Sequence, residues 1–204
     1  MRARGRPGLQ ADLQIDPQPA DLASVLRQDM RGRGFTLVGT PVFFDDGVLP
    51  RLTRARTVLP SHAKLWWKFP QLARYACWLE GLLREALPEE AVSLKSLEYR
   101  HEREGLVSED VDGLHADGGY IRSVFTLYGA STIYRHRGTE QPVPDGLTLL
   151  MTAQDRTRAL RVPCTLHRRP GAGPERAVIV CSFGPRPVQP ELAEVYRQVG
   201  EALS

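Results

Sequence analysis

From residue 92 onward the sequence changes from helical patterning to strand patterning, and this constrains the fold more than any other feature. Six short runs follow one another: 92–99 (VSLKSLEY), 120–128 (YIRSVFTLY), 131–136 (STIYRH), 146–152 (GLTLLMT), 160–167 (LRVPCTLH) and 177–183 (AVIVCSF). Each is rich in β-branched or aromatic residues, and Gly, Pro and Asp divide them. The preceding part reads differently. Asp21 can cap a helix in which Leu22, Val25, Leu26 and Met30 share a face, stopped by Gly32 and Gly34. Residues 35–38 and 42–44 read as short strands, and 51–62 has no clear period. The strongest helix is 70–86: Pro70 suits a first turn, Leu72, Tyr75, Ala76, Leu79, Leu82, Leu83 and Ala86 recur at helical spacing, and Pro88 ends it. Trp66, Trp67 and Trp78 cluster here and read as core packing. A last helix, 190–204, buries Leu192, Val195, Tyr196 and Val199. Helices first and strands second predict an α+β, mainly β fold: a sandwich or jelly roll with helices outside one sheet.

Size and composition fit that reading. With 204 residues the chain can hold one sizeable core. It is 42% hydrophobic and 25% charged, which argues against wholesale disorder. Residues 1–20 are Pro-rich and read as a flexible leader, leaving 21–204 as one domain. The uncharged run 123–134 is far too short to span a membrane, and no signal peptide is expected. Cys77, Cys164 and Cys181 are odd in number and widely spaced, so a disulfide framework is not expected and a cytoplasmic location is.

One motif carries chemistry. His115-Ala116-Asp117 places an imidazole and a carboxylate two residues apart, and on an extended backbone both leave the same face. Chance alone gives such a pair in roughly one chain in three of this composition, so its context decides. A third ligand is available in His167, 52 residues on. Two His and one carboxylate on one face of an octahedron leave three positions open, the pattern of non-haem Fe(II) oxygenases. Arg176 follows nine residues after His167, beyond a turn containing Pro170, Gly171, Gly173 and Pro174, and opens an apolar strand. A hairpin return would bring its guanidinium near the metal, where it could bind a carboxylate bidentately.

In this order of HxD, strands, His, Arg and apolar strand, the chain resembles the Fe(II)/2-oxoglutarate-dependent dioxygenases. GLHADGGYIRSVFTLYGASTIYR and TLHRRPGAGPERAVIVCSF are similar to an uncharacterised bacterial branch of that superfamily. The resemblance implies a double-stranded β-helix over 90–185, braced by helices from 21–89. It implies His115, Asp117 and His167 as iron ligands and Arg176 as the partner of 2-oxoglutarate. It also implies O₂ as cosubstrate, with succinate and CO₂ as products of a hydroxylation or an oxidative demethylation. Asp117 stands where the family's halogenase variant leaves a site open for chloride. Many members carry Arg-x-Ser on the last strand, whereas this chain has Arg176-Ala177-Val178. A second 2-oxoglutarate partner is therefore open among Tyr99, Arg122, Thr126 and Tyr128.

The distribution of charge bears on the substrate. Residues 1–134 hold 17 bases and 17 acids; residues 135–176 hold eight Arg against four acids. The surplus lies on the segment leading to His167 and suggests a small anionic substrate. No aromatic-interleaved basic stripe occurs there, which disfavours nucleic acid. Three other classes stay in view. They are an oxygenase acting on a protein or nucleic acid, a cupin-like metal protein that does not use 2-oxoglutarate, and a non-catalytic interaction protein. His101 and His136 read as exposed strand positions, with a supporting role beside the metal ligands open for His101, and His62 has no supporting context.

Overall fold

The computed structural model describes residues 21–41, 57–59, 70–102, 113–171 and 176–185, the side chains at 57–59, 70, 101 and 102 excepted. The expected leader, the 42–44 strand, Trp66, Trp67, His62 and the 190–204 helix lie outside these residues.

Two helices form where periodicity and caps place them. Helix α1 (Leu22–Gly32) starts at Asp21, whose Oδ1 accepts from the Ser24 N–H at 3.1 Å. It buries Leu26 and Met30, while Val25, expected on the same face, is 43% exposed. Gly34 then adopts φ +79°, and a Cβ there would lie 2.2 Å from the Pro163 carbonyl oxygen. Only glycine fits this turn into β1 (Phe35–Gly39). Helix α2 (Pro70–Ala86) buries Leu72, Tyr75, Ala76, Leu79, Leu83 and Ala86. A short 3-10 turn (Pro88–Glu90) follows it.

The remaining strands are β2 (Thr57–Leu59), β3 (Ser93–Glu102), β4 (Ile121–Tyr128), β5 (Ile133–His136), β6 (Thr139–Pro142), β7 (Leu147–Thr152), β8 (His167–Arg168) and β9 (Arg176–Gly184). Every strand pairing among the described residues is antiparallel. One sheet runs β1-β7-β4-β9-β3-β2 and the other β6-β5-β8. The molecule is thus mostly β, with antiparallel sheets and few helices.

The long sheet has two faces. Leu97, Tyr99, Ile121, Leu150, Ile179, Cys181 and Phe183 point toward α1 and α2 and share their core. Val124, Leu149, Met151, Val178 and Val180 point the other way, toward Tyr134 of β5 and Val143. Period-2 alternation therefore sends Glu98 and Arg100 on β3, Arg122 and Thr126 on β4, and Arg176 on β9 to the inner face. A register shift between Thr126 and Tyr128 turns Tyr128 back toward the helix-side core.

Two expectations need correction. The predicted strand 160–167 is mostly not a strand: helix α3 (Gln154–Leu160) ends where it should begin, irregular chain follows, and pairing starts only at His167. Leu160, expected to be a strand residue, is instead 45% exposed at the helix end. Strand β6 (TEQP) is not anticipated by the sequence pattern; a two-residue turn with positive φ at Arg137 (50°) and Gly138 (83°) folds it onto β5. No described helix is long and apolar enough to cross a membrane.

Candidate metal centre

Backbone pairing builds the site before any side chain contributes. His115 and His167 exchange two hydrogen bonds, each N–H donating to the other's carbonyl at 2.9 Å, in an isolated antiparallel bridge. The bridge lies at the edge of the β6-β5-β8 sheet, because His167 also pairs with Tyr134 of β5. The imidazoles lie side by side, their centroids 4.6 Å apart. Asp117 follows His115 by two residues and reaches both rings. Its Oδ1 lies 3.8 Å from His115 Nε2 and its Oδ2 lies 3.4 Å from His167 Nε2. One ligand atom from each of the three residues falls within 4.8 Å of the others.

The segment after the HxD pair is clamped by the start of α3. The N–H groups of Ala153, Gln154 and Asp155 donate to the carbonyls of Tyr120, Asp117 and Gly119 at 3.0, 3.0 and 2.8 Å. The Gln154 side-chain amide donates to Ala116 O at 2.8 Å. Residues 116–120 are therefore fixed by a helix that the sequence pattern does not announce, and Asp117 is held by its backbone as well as by its carboxylate.

The histidines are prepared to act as ligands. His115 Nδ1 lies 2.9 Å from Gly113 O. A carbonyl can only accept, so Nδ1 carries the proton, and Nε2 is the ring nitrogen turned toward Asp117. His167 is pushed down to about 4, first by burial and then by the charges of His115, Arg122 and Arg100, with Asp117 opposing. Its imidazole is neutral at neutral pH, the state a metal requires. Between about 4 and the ordinary histidine value the unfolded chain binds more protons at this site than the folded one, so the metal-free protein gains stability as pH rises through that window and gains none from His167 above it. An NMR titration of the metal-free protein should show the His167 ring still neutral at about pH 5.5; a midpoint near the ordinary value of roughly 6.5 would contradict this.

The other sequence candidates separate. Arg122 stands beside the cluster, its Nε 3.6 Å from Asp117 Oδ2. Thr126 shares its face of β4. Tyr99 is 1% exposed and packs in the helix-side core. Arg176 is buried on the inner face and donates from Nη1 to Ala130 O at 3.1 Å. Ala130 precedes by four residues Tyr134, which lies across from His167, so at most ~14 Å of chain separates the two positions. Arg100 is not singled out by the sequence, yet it acts on His167 through its charge and is held by Glu98 at 2.6 Å. Alternation with Tyr99 is the signal that could have found it.

The arginine-rich segment does not form one anion-binding surface. Arg156 is fully buried, Arg135 and Arg168 share Glu140, and Arg158 pairs with Asp155. Among the described residues, the guanidinium charges that act on His167 are those of Arg122 and Arg100, from the balanced part of the chain.

No protein-family model matches this chain, and no curated protein matches it by sequence. Solved structures do match. A prolyl-4-hydroxylase from Pseudomonas putida aligns with TM-score 0.56 at 16% identity, over 82% of this chain and 95% of that one. An oxidoreductase of the 2OG-Fe(II) oxygenase family from Burkholderia pseudomallei aligns with TM-score 0.51 at 12% identity, over 80% and 90%. The viral collagen prolyl hydroxylase of Paramecium Bursaria Chlorella virus-1, in its 2OG complex, aligns with TM-score 0.53 at 12% identity, over 75% and 96%. The neighbours in structure are thus 2OG-Fe(II) oxygenases, and at these identities the likeness is one of fold.

Proposed function

We propose that this chain is an Fe(II)/2-oxoglutarate-dependent dioxygenase, with a double-stranded β-helix over 90–185 and one domain over 21–204. The observation that carries the reading is the convergence of His115, Asp117 and His167, with ligand atoms within 4.8 Å, on a fold shared with 2OG-Fe(II) oxygenases. Two imidazoles and one carboxylate suit Fe(II) and leave coordination positions for other ligands. Bound Fe(II), with 2-oxoglutarate and O₂, supplies the oxidising chemistry that yields succinate, CO₂ and a hydroxylated or demethylated product.

The chain's own residues do the rest. His115 presents Nε2 because Gly113 O holds the proton on Nδ1. Asp117 brings the negative charge, and the N-terminus of α3 keeps its backbone in place. Arg176, on the same inner face, is suited to take the distal carboxylate of 2-oxoglutarate. The apolar inner-face residues Val124, Val178 and Val180 limit water there. A small, anionic substrate in the cytoplasm is the remaining part of the reading, supported by the guanidinium groups on that face.

The test is an anaerobic titration. Fe(II) and 2-oxoglutarate should together give a weak visible charge-transfer band, and admission of O₂ should release succinate; no band would overturn the reading. Arg176→Met should raise the 2-oxoglutarate needed for half-maximal band by roughly 10–100-fold, the worth of a charged hydrogen-bond pair, while iron stays bound. Loss of iron in that variant would mean a structural role for Arg176.

A further inference from the structure

Arg122 is the cation whose counter-charge the metal would claim. Its Nε lies 3.6 Å from Asp117 Oδ2, an ion-pair distance but too long for a hydrogen bond. That nitrogen is buried and has no hydrogen-bond partner among the described residues. The side chain as a whole keeps 23% exposure, so it is only partly covered. The neighbouring cations are placed differently. Arg100 is held by Glu98, whose Oε2 is 2.6 Å from both Nε and Nη2. Arg176 lies at the far end of β9 and donates to Ala130 O. Asp117 is the acidic partner of Arg122 among the described residues.

Once Asp117 coordinates a divalent ion, its charge is committed to that ion. A half-buried guanidinium beside a dication is then costly unless a second anion arrives. We propose that this anion is a carboxylate of the substrate, received by Arg122, so that the enzyme acts on a small carboxylic acid. The inference rests on the reading of Asp117 as a metal ligand. A guanidinium offers two parallel N–H groups to a carboxylate, which fixes orientation as well as charge. Its oxygens would lie on the order of 5–7 Å from Asp117, given normal hydrogen-bond lengths. The carbon that is oxidised is then only a few bonds from the acid group. The corresponding amide would leave the guanidinium unpaired and should bind roughly 10–100-fold more weakly.

The experiment uses the full chain loaded anaerobically with Fe(II) and 2-oxoglutarate. The probes are the L-amino acids and a set of short aliphatic and aromatic monocarboxylic acids, each beside its own amide. Binding is read from the charge-transfer band and from tryptophan fluorescence. At least one acid should bind, with its amide at least about 10-fold weaker. Arg122→Met should lose that acid at least about 10-fold while holding iron and 2-oxoglutarate as the unaltered chain does, and Arg122→Lys should fall between them. Failure of every acid, equal binding of acid and amide, or an unchanged Arg122→Met would each overturn the proposal. Loss of 2-oxoglutarate binding in Arg122→Met would also overturn it, by assigning Arg122 to the cosubstrate. Absence of the band before any acid is added would overturn the metal-site reading, and this inference with it; that failure is seen first and cannot be confused with the others.

Discussion

Asp117→Ala abolishes divalent metal binding and leaves the fold in place: this is the result expected with the largest effect on function. The carboxylate is the negatively charged member of the three, and the two imidazoles alone retain a divalent ion poorly. Even groups outside a metal's own ligands change affinity by roughly 10–100-fold when removed, so loss of a ligand should exceed about 100-fold. Mn(II) titration followed by electron paramagnetic resonance measures this directly, and circular dichroism reports the fold. The competing reading is that Asp117 serves only as an ion-pair partner for His115, His167 and Arg122. In that case the alanine variant would melt at a lower temperature and the unaltered chain would bind no Mn(II). The backbone argues for a retained fold, since the Asp117 carbonyl still accepts from Gln154 N–H and the His115–His167 bridge uses no side chain.

The second large effect is on stability. Arg156 is fully buried, and its guanidinium donates from Nε and Nη2 to the two Glu90 carboxylate oxygens at 2.8 Å each. Its Nη1 donates to Met30 O at 3.0 Å and to Thr152 Oγ1 at 2.7 Å. One side chain thus joins the end of α1, the turn after α2, the end of β7 and α3. Arg156→Met removes the partner of a buried carboxylate and should cost about 3–5 kcal/mol. For a chain of this size the melting temperature should drop on the order of 10 °C. The double variant Glu90→Leu/Arg156→Met should recover much of the loss, because the apolar pair leaves no orphaned charge. A single variant that melts within about 2 °C of the original would show that the pair is not structural.

Arg156 also shows where reading the sequence stops. In the sequence it is one of eight arginines in 135–176 that together suggest an anion site. Its burial depends on Glu90, 66 residues away, and no local pattern announces that pairing. Helix α3 escapes the sequence for the same reason. QDRTRAL has no apolar stripe, and its first turn is held by carbonyls of 117–120 rather than by its own propensity. Helices α1 and α2 are legible because apolar periodicity and an Asp cap act locally. The cluster of His115, Asp117 and His167 is legible for a chemical reason: few residue types bind a divalent ion, and two of them stand two apart on extended chain. Arg100 is not, because a charge on a strand reads as solvent-facing until a second sheet covers that face.

The His115–His167 bridge bears on how freely the rest of the protein can vary. It joins two histidines 52 residues apart by backbone alone, and the chain between them, β4 to α3, is itself built into the two sheets and the helix that clamps 116–120. Insertions at the Arg137–Gly138 turn would lengthen a surface hairpin without moving either imidazole. A one-residue slip at the bridge would turn one imidazole to the opposite face and break the cluster. Register at this single pair, rather than loop length, is the quantity a family built on such a plan would have to preserve.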